Sequence, residues 1–83
     1  MPKADLALPP DFEALVIGRQ LGTGGRGRAV REAAGLTLRE AALFLGTDPH
    51  TLSRWEMGLS RPRMAQAARW AEFTRRLEAV LAV

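Results

Sequence analysis

TLREAALFLGTDPHTLSRWEMG, Thr37 to Gly58, contains the signals for two short helices with almost nothing between them. Thr37 stands just ahead of an apolar run and Glu40 follows three residues later, the pattern of a capping box. Ala41, Ala42 and Leu45 then fall on one helical face, and Gly46 ends the run. Asp48 is placed to cap a second helix that Pro49 opens, where a missing N–H is harmless. HTLSRWEM continues it and Gly58 stops it. The connection Gly46-Thr47-Asp48 is too tight for the helices to lie antiparallel, so they must cross at a corner, as in a helix-turn-helix. Ala41, Ala42, Leu45, Leu52 and Trp55 are the positions that touch at such a crossing. The helical period turns Leu52, Trp55 and Leu59 toward the first helix. It leaves His50, Thr51, Arg54 and Met57 facing outward, with Pro49 and Ser53 near them.

Outward from this unit the chain continues to read as helix. Arg26 to Ala34 is a short helix stopped by Gly35 at the left-handed C′ position. Before it, Asp11 is a candidate N-cap for a helix carrying Phe12, Leu15, Val16 and Arg19 at helical spacing, broken by GTGG, Gly22 to Gly25. After LSRPR, residues 64–82 hold no breaker. Their stripe is Trp70, Phe73, Leu77 and Val80 or Leu81. Trp70 and Phe73 are expected to close the core over the helix-turn-helix. Leu77, Val80 and Leu81 extend further, either as a homodimer seam on the C-terminal helix or as a surface folding back on Phe12, Leu15 and Val16. The expected fold is all-α, a small five-helix bundle. Residues 1–8 are expected to form a flexible arm and 9–83 a single domain, with the helix-turn-helix at 37–58.

One competing motif has to be weighed. In QLGTGGRGRAV, Gly22, Gly24 and Gly27 satisfy G-x-G-x-x-G, the spacing of a dinucleotide loop. A dinucleotide fold also needs further βα repeats and an acidic residue about 20 positions on at a strand end. That window is FLGTDP, where Asp48 follows a turn. A kinase loop needs a downstream lysine, and Lys3, the sole lysine, lies upstream. The glycines are therefore expected to separate an added N-terminal helix from the helix-turn-helix. No cysteine and a single histidine, His50, leave neither a disulfide nor a metal cluster to build. No cofactor is expected and no enzyme. The absence of an apolar leader or an 18-residue apolar run suggests a cytoplasmic protein.

The charge points to a partner. Eleven arginines and one lysine set a net charge of +3 over 83 residues. Arginine's planar fork pairs bidentately with guanine or phosphate, which suits nucleic acid. An Ala- and Arg-rich composition also follows from GC-rich coding, so charge alone does not decide. The outward face of the second helix adds to it. His, Thr, Ser and Arg in its first turns can donate to guanine or phosphate and offer a methyl to thymine. Arg26 and Arg28 in GGRGR are spaced like a minor-groove hook but lack its proline, so a helix start near a phosphate suits them better.

The stretch from Arg31 to Arg63 resembles the Cro/CI-type (XRE-type) helix-turn-helix repressors. Arg31, Gly35-Leu36-Thr37, Ala42, Gly46, Glu56-x-Gly58 and Pro62 stand in register with that family's pattern. The resemblance implies a lambda-repressor-like fold and a sequence-specific double-stranded DNA-binding transcriptional regulator, bacterial or encoded by a phage. Its recognition helix, 49–57, would enter the major groove. Arg31 would pair with Glu56 as a structural bridge. His50, Thr51 and Arg54 would read bases with Ser53 and Pro49 beside them, and Thr37, Arg39, Arg61 and Arg63 would meet phosphates. With no room for a sensor domain in this length, regulation would follow concentration, as in small phage regulators and plasmid repressors. An antitoxin or protein-interaction adaptor with secondary DNA binding is the alternative. Leu38 replaces a glutamine usual in the family, which removes one backbone contact, and Ala41 replaces a usual leucine, so Trp55 is expected to fill that space.

Overall fold

The structure is a computed structural model that describes Leu8 and residues 12–82. Within that range the regular elements are five helices: α1 (Phe12–Thr23), α2 (Arg26–Ala33), α3 (Leu38–Leu45), α4 (Pro49–Glu56) and α5 (Met64–Leu81). Asp11 and the arm, apart from Leu8, lie outside the described residues.

Local chemistry sets the ends of the central helices. Thr37 Oγ1 accepts the Glu40 N–H at 3.0 Å, and Glu40 Oε1 accepts the Thr37 N–H at 2.9 Å, a complete capping box. At α4 the Asp48 carboxylate accepts the backbone N–H and the hydroxyl of Thr51, both at 2.8 Å. Gly46 ends α3 at φ 70°, a left-handed conformation that suits glycine because it has no Cβ. These caps turn the chain sharply between α3 and α4 while leaving few helix-end donors unsatisfied.

The core forms where α1, α3, α4 and α5 meet. Leu21, Ala41, Ala42, Leu45, Leu52, Trp55 and Trp70 are buried together, and Leu38 and Phe73 pack against them from the margin. The Trp55 and Trp70 rings lie 5.5 Å apart at a tilt, so α5 covers the helix-turn-helix with one indole on another.

Two expectations for α1 are corrected. The helix does not break at Gly22 but runs through it to Thr23, and the chain turns at Gly25, φ 76°. Its packing face is Gly18, Leu21 and Gly22, whereas Phe12 and Val16 stay 40% and 39% exposed. The cause is close approach of backbones. A methyl on Gly18 would overlap the Ala67 carbonyl of α5, and one on Gly22 the Trp55 carbonyl of α4. Larger side chains on that face would push α1 away. Gly27 serves α2 likewise, since an added Cβ would stand 2.6 Å from the Trp70 ring.

Leu59 is the third correction. It is 60% exposed and does not face α3. α4 ends at Glu56, and Gly58 at φ 72° takes the chain out of helical register before Leu59 is reached. Among the described residues, no helix is long and apolar enough to cross a membrane.

Candidate nucleic-acid interface

α4 divides cleanly by face. Leu52, Trp55 and Glu56 are buried, while His50 and Arg54 are exposed and Pro49, Thr51 and Ser53 are half-buried beside them. The Asp48 cap draws the first turn together. The backbone N–H of Thr51 and then its hydroxyl hold the Asp48 carboxyl below the usual aspartate range, so the cap stays ionised. One consequence falls on Thr51. Its hydroxyl proton is given to Asp48, which leaves the γ-methyl and oxygen lone pairs as what it can show a partner.

The inward anchor is an ion pair. Arg31 of α2 reaches Glu56 with Nε at 2.7 Å from Oε2 and Nη2 at 3.0 Å from Oε1. A further donor of Arg31 goes to the Leu36 carbonyl at 2.8 Å. Glu56 is only 6% exposed, so the fork ties the end of α4 to α2 and to the turn before α3 in a largely dry setting.

Thr37, Arg39, Arg61 and Arg63 lie around this helix. All four are exposed. The Thr37 hydroxyl is engaged with Glu40 in the capping box. Arg39 sits on the first turn of α3, and Arg61 and Arg63 bracket the buried Pro62 in the loop between α4 and α5. Leu38, at the glutamine position, is half-buried against the core and offers no polar group.

Salt bridges separate Arg39, Arg54, Arg61 and Arg63 from four paired arginines, though not from Arg19, Arg69 and Arg76, which also enter none among the described residues. Arg26 pairs with Glu78, Arg28 with Glu32, Arg31 with Glu56 and Arg75 with Glu72. Arg39, Arg54, Arg61 and Arg63 enter no salt bridge among the described residues. Two nearby acids, Glu40 and Asp48, are committed to helix N-termini. At the helix start of α2 the guanidiniums of Arg26 and Arg28 are held by the carboxylates of Glu78 and Glu32. Among the described residues no three His, Asp or Glu side chains converge to hold a metal.

Sequence reasoning missed two features. Leu43 and Phe44 on the outer side of α3 are 77% and 66% exposed, and Phe44 stacks on Phe73 of α5 with ring centroids 6.3 Å apart. Phe44 and Phe73, with Leu36, Leu77 and Val80, border an apolar groove of about 590 Å³. The signal was present, because Ala41, Ala42 and Leu45 already fill the inner face and their neighbours must point out. The second feature is a hydrogen bond from Arg19 Nε to the Pro62 carbonyl at 3.4 Å. It joins residues 43 apart in sequence and carries no local pattern. α5 folds back along α1 through Ala67 on Gly18, yet Val80 stays 70% exposed, so this contact does not cover the end of the stripe.

A family model described as Helix-turn-helix matches residues 28–79, which takes in most of α2, all of α3 and α4, and nearly all of α5. Nothing among the curated proteins or the solved structures matches the chain. With both helices of the motif, their caps and the corner between them inside that match, the chain belongs to the XRE-type helix-turn-helix family of DNA-binding regulators.

Proposed function

We propose that this protein is a sequence-specific binder of duplex DNA that represses transcription by occupying its operator. The observation that carries the reading is the coincidence of one exposed helix face with four arginines around it that enter no salt bridge among the described residues. In this reading α4 enters the major groove. Arg54 donates to guanine, the Thr51 methyl meets thymine, and His50 and Ser53 reach the neighbouring base edges with Pro49 at the groove wall. Thr37, Arg39, Arg61 and Arg63 hold phosphates, which sets register and supplies most of the salt-dependent affinity. Repression is steric, and residues 9–83 act as one binding domain.

A helix of this length reads only a few base pairs, so two copies on half-sites about 34 Å apart fit the task better than one. The C-terminal helix supplies a surface for a homodimer, since Leu77 is half-buried and Val80 and Leu81 are exposed. The same apolar groove favours the second reading, an antitoxin or adaptor that holds a protein partner there and binds DNA secondarily.

Selection from random duplexes at moderate salt separates these readings. A palindromic motif with half-sites one helical turn apart is the result expected of a dimeric repressor. A short asymmetric motif removes the homodimer, and no enrichment over input removes sequence-specific binding altogether.

A further inference from the structure

α1 lies N-terminal to the segment that the family model matches, and its second half touches the binding face from behind. Gly22 sits on the Trp55 carbonyl at the end of α4, with the Gly58 backbone close by, and Gly18 sits on the Ala67 carbonyl in the first turn of α5. The loop carrying Arg61 and Arg63 runs between those two contacts. Its first half hangs on α4, since the N–H groups of Leu59 and Ser60 both reach the Arg54 carbonyl, at 2.9 and 3.4 Å. Its second half is met by Arg19, one residue from Gly18 on α1, whose Nε–H donates to the Pro62 carbonyl at 3.4 Å. Pro62 is buried and the arginines on either side of it are exposed.

We propose that α1 is a positioning element of the DNA-binding face, and that Arg19, acting through the Pro62 carbonyl, sets the direction in which Arg61 and Arg63 present their guanidiniums. This rests on the DNA-binding reading given above. A proline buried between two arginines makes the loop a lever. The ring fixes φ at Pro62, so the peptide plane that carries its carbonyl determines where Arg63 departs, and the buried ring holds Arg61 on the other side. A hydrogen bond to that carbonyl therefore orients two phosphate-binding side chains at once.

Arg19 is itself basic and exposed, so its test must separate positioning from direct phosphate contact. Arg19→Gln places an amide nitrogen where Nε stood and removes the charge. Arg19→Met keeps the aliphatic stem and removes both donor and charge. The full-length variants are titrated with the duplex recovered from the selection, at several salt concentrations, after thermal melts show each folded at the assay temperature. Positioning predicts that Arg19→Gln stays within about twofold of wild type, whereas Arg19→Met weakens binding about fivefold, the size of one net hydrogen bond. It also predicts that Arg19→Met lowers the slope of log affinity against log salt by about 1 to 2, as contacts to two phosphates slacken. Arg61→Ala should then cost less affinity in the Arg19→Met background than in wild type, because the two changes act on one contact. Equal losses for Gln and Met, with full additivity to Arg61→Ala, overturn the proposal in favour of a direct phosphate contact. Unchanged affinity in both variants overturns it outright. A wild-type chain that retains no duplex removes the functional reading and this role together, and does so before any Arg19 variant is compared.

Discussion

On α2 and α5 Arg26, Arg28, Arg31 and Arg75 each face a carboxylate, with Arg69 and Arg76 the exceptions; on α3, α4 and the loop after α4, Arg39, Arg54, Arg61 and Arg63 face none among the described residues. One residue type thus does opposite work in two regions. On the paired side the guanidinium's field is cancelled nearby, and only Arg31, whose partner Glu56 is buried, gains appreciable structural weight. Exposed pairs such as Arg28–Glu32 contribute at most about 1 kcal/mol. On the unpaired side the charge remains available to a partner. A net charge of +3 therefore understates the local field, because the carboxylates that lower the sum are mostly somewhere else.

The contrast breaks most easily at its one buried pair. Glu56→Ala leaves the Arg31 guanidinium in a dry setting without its carboxylate and should destabilise the fold by about 3 kcal/mol. In a domain of this size that lowers the melting midpoint by more than about 10 °C, readable by circular dichroism. An unaltered melt with lost DNA binding would move Glu56 from the paired side to the binding face. Gly22→Ala is next at about 2 kcal/mol, because its methyl meets the Trp55 backbone carbonyl, which cannot swing aside. Gly24→Ala is its control. The nearest atom to a Cβ there is 3.5 Å away, and its melt should shift by no more than about 0.5 kcal/mol. Equal effects at the two glycines would show that α1 does not sit on α4 as described.

On the unpaired side the expected loss is in affinity, not stability. Arg54→Ala should weaken binding to the selected duplex by about 2 kcal/mol, roughly 30-fold, with the melt nearly unchanged. An operator affinity equal to wild type would take Arg54 off the reading surface. The smallest effect concerns Asp48, where an acid on the binding side is used locally. Its folded pKa lies below its unfolded value of about 3.9, because the Thr51 N–H and hydroxyl favour the charged form. The cap's contribution is therefore complete above about pH 4 and is lost as pH falls through the folded value. Asp48→Asn keeps a capping side chain without that titration. Its melting midpoint should fall less steeply below pH 4 than that of wild type, and parallel curves would mean that the cap is not what titrates.

Much of the interface was legible because it depends on short-range rules. Arg54 and His50 fall on the outer face of α4 for the same reason that Leu52 and Trp55 fall on the inner one, a period of 3.6 residues. Leu59 departs from that face because the period ends with α4 at Glu56. The sequence offers Phe12, Leu15 and Val16 as one of two surfaces for the end of α5, and although Phe12 and Val16 stay exposed, bulk apolar side chains usually mark a packing face. Here two glycines do so, since the contact is between backbones.

The ends of the central helices, the corner between them and the two faces of α4 follow from the amino-acid sequence alone. Each rests on hydrogen bonds or side-chain spacing within a few residues, as with Thr37 and Glu40, Asp48 and Thr51, and Gly46. Docking of the helices was needed to settle that Arg26 meets Glu78, which face α1 buries and what Arg19 touches. Arg26 and Glu78 are 52 residues apart, and Arg19 and Pro62 are 43 apart. Such separations leave no periodic trace, because they close only when α1 and α5 have docked on the helix-turn-helix.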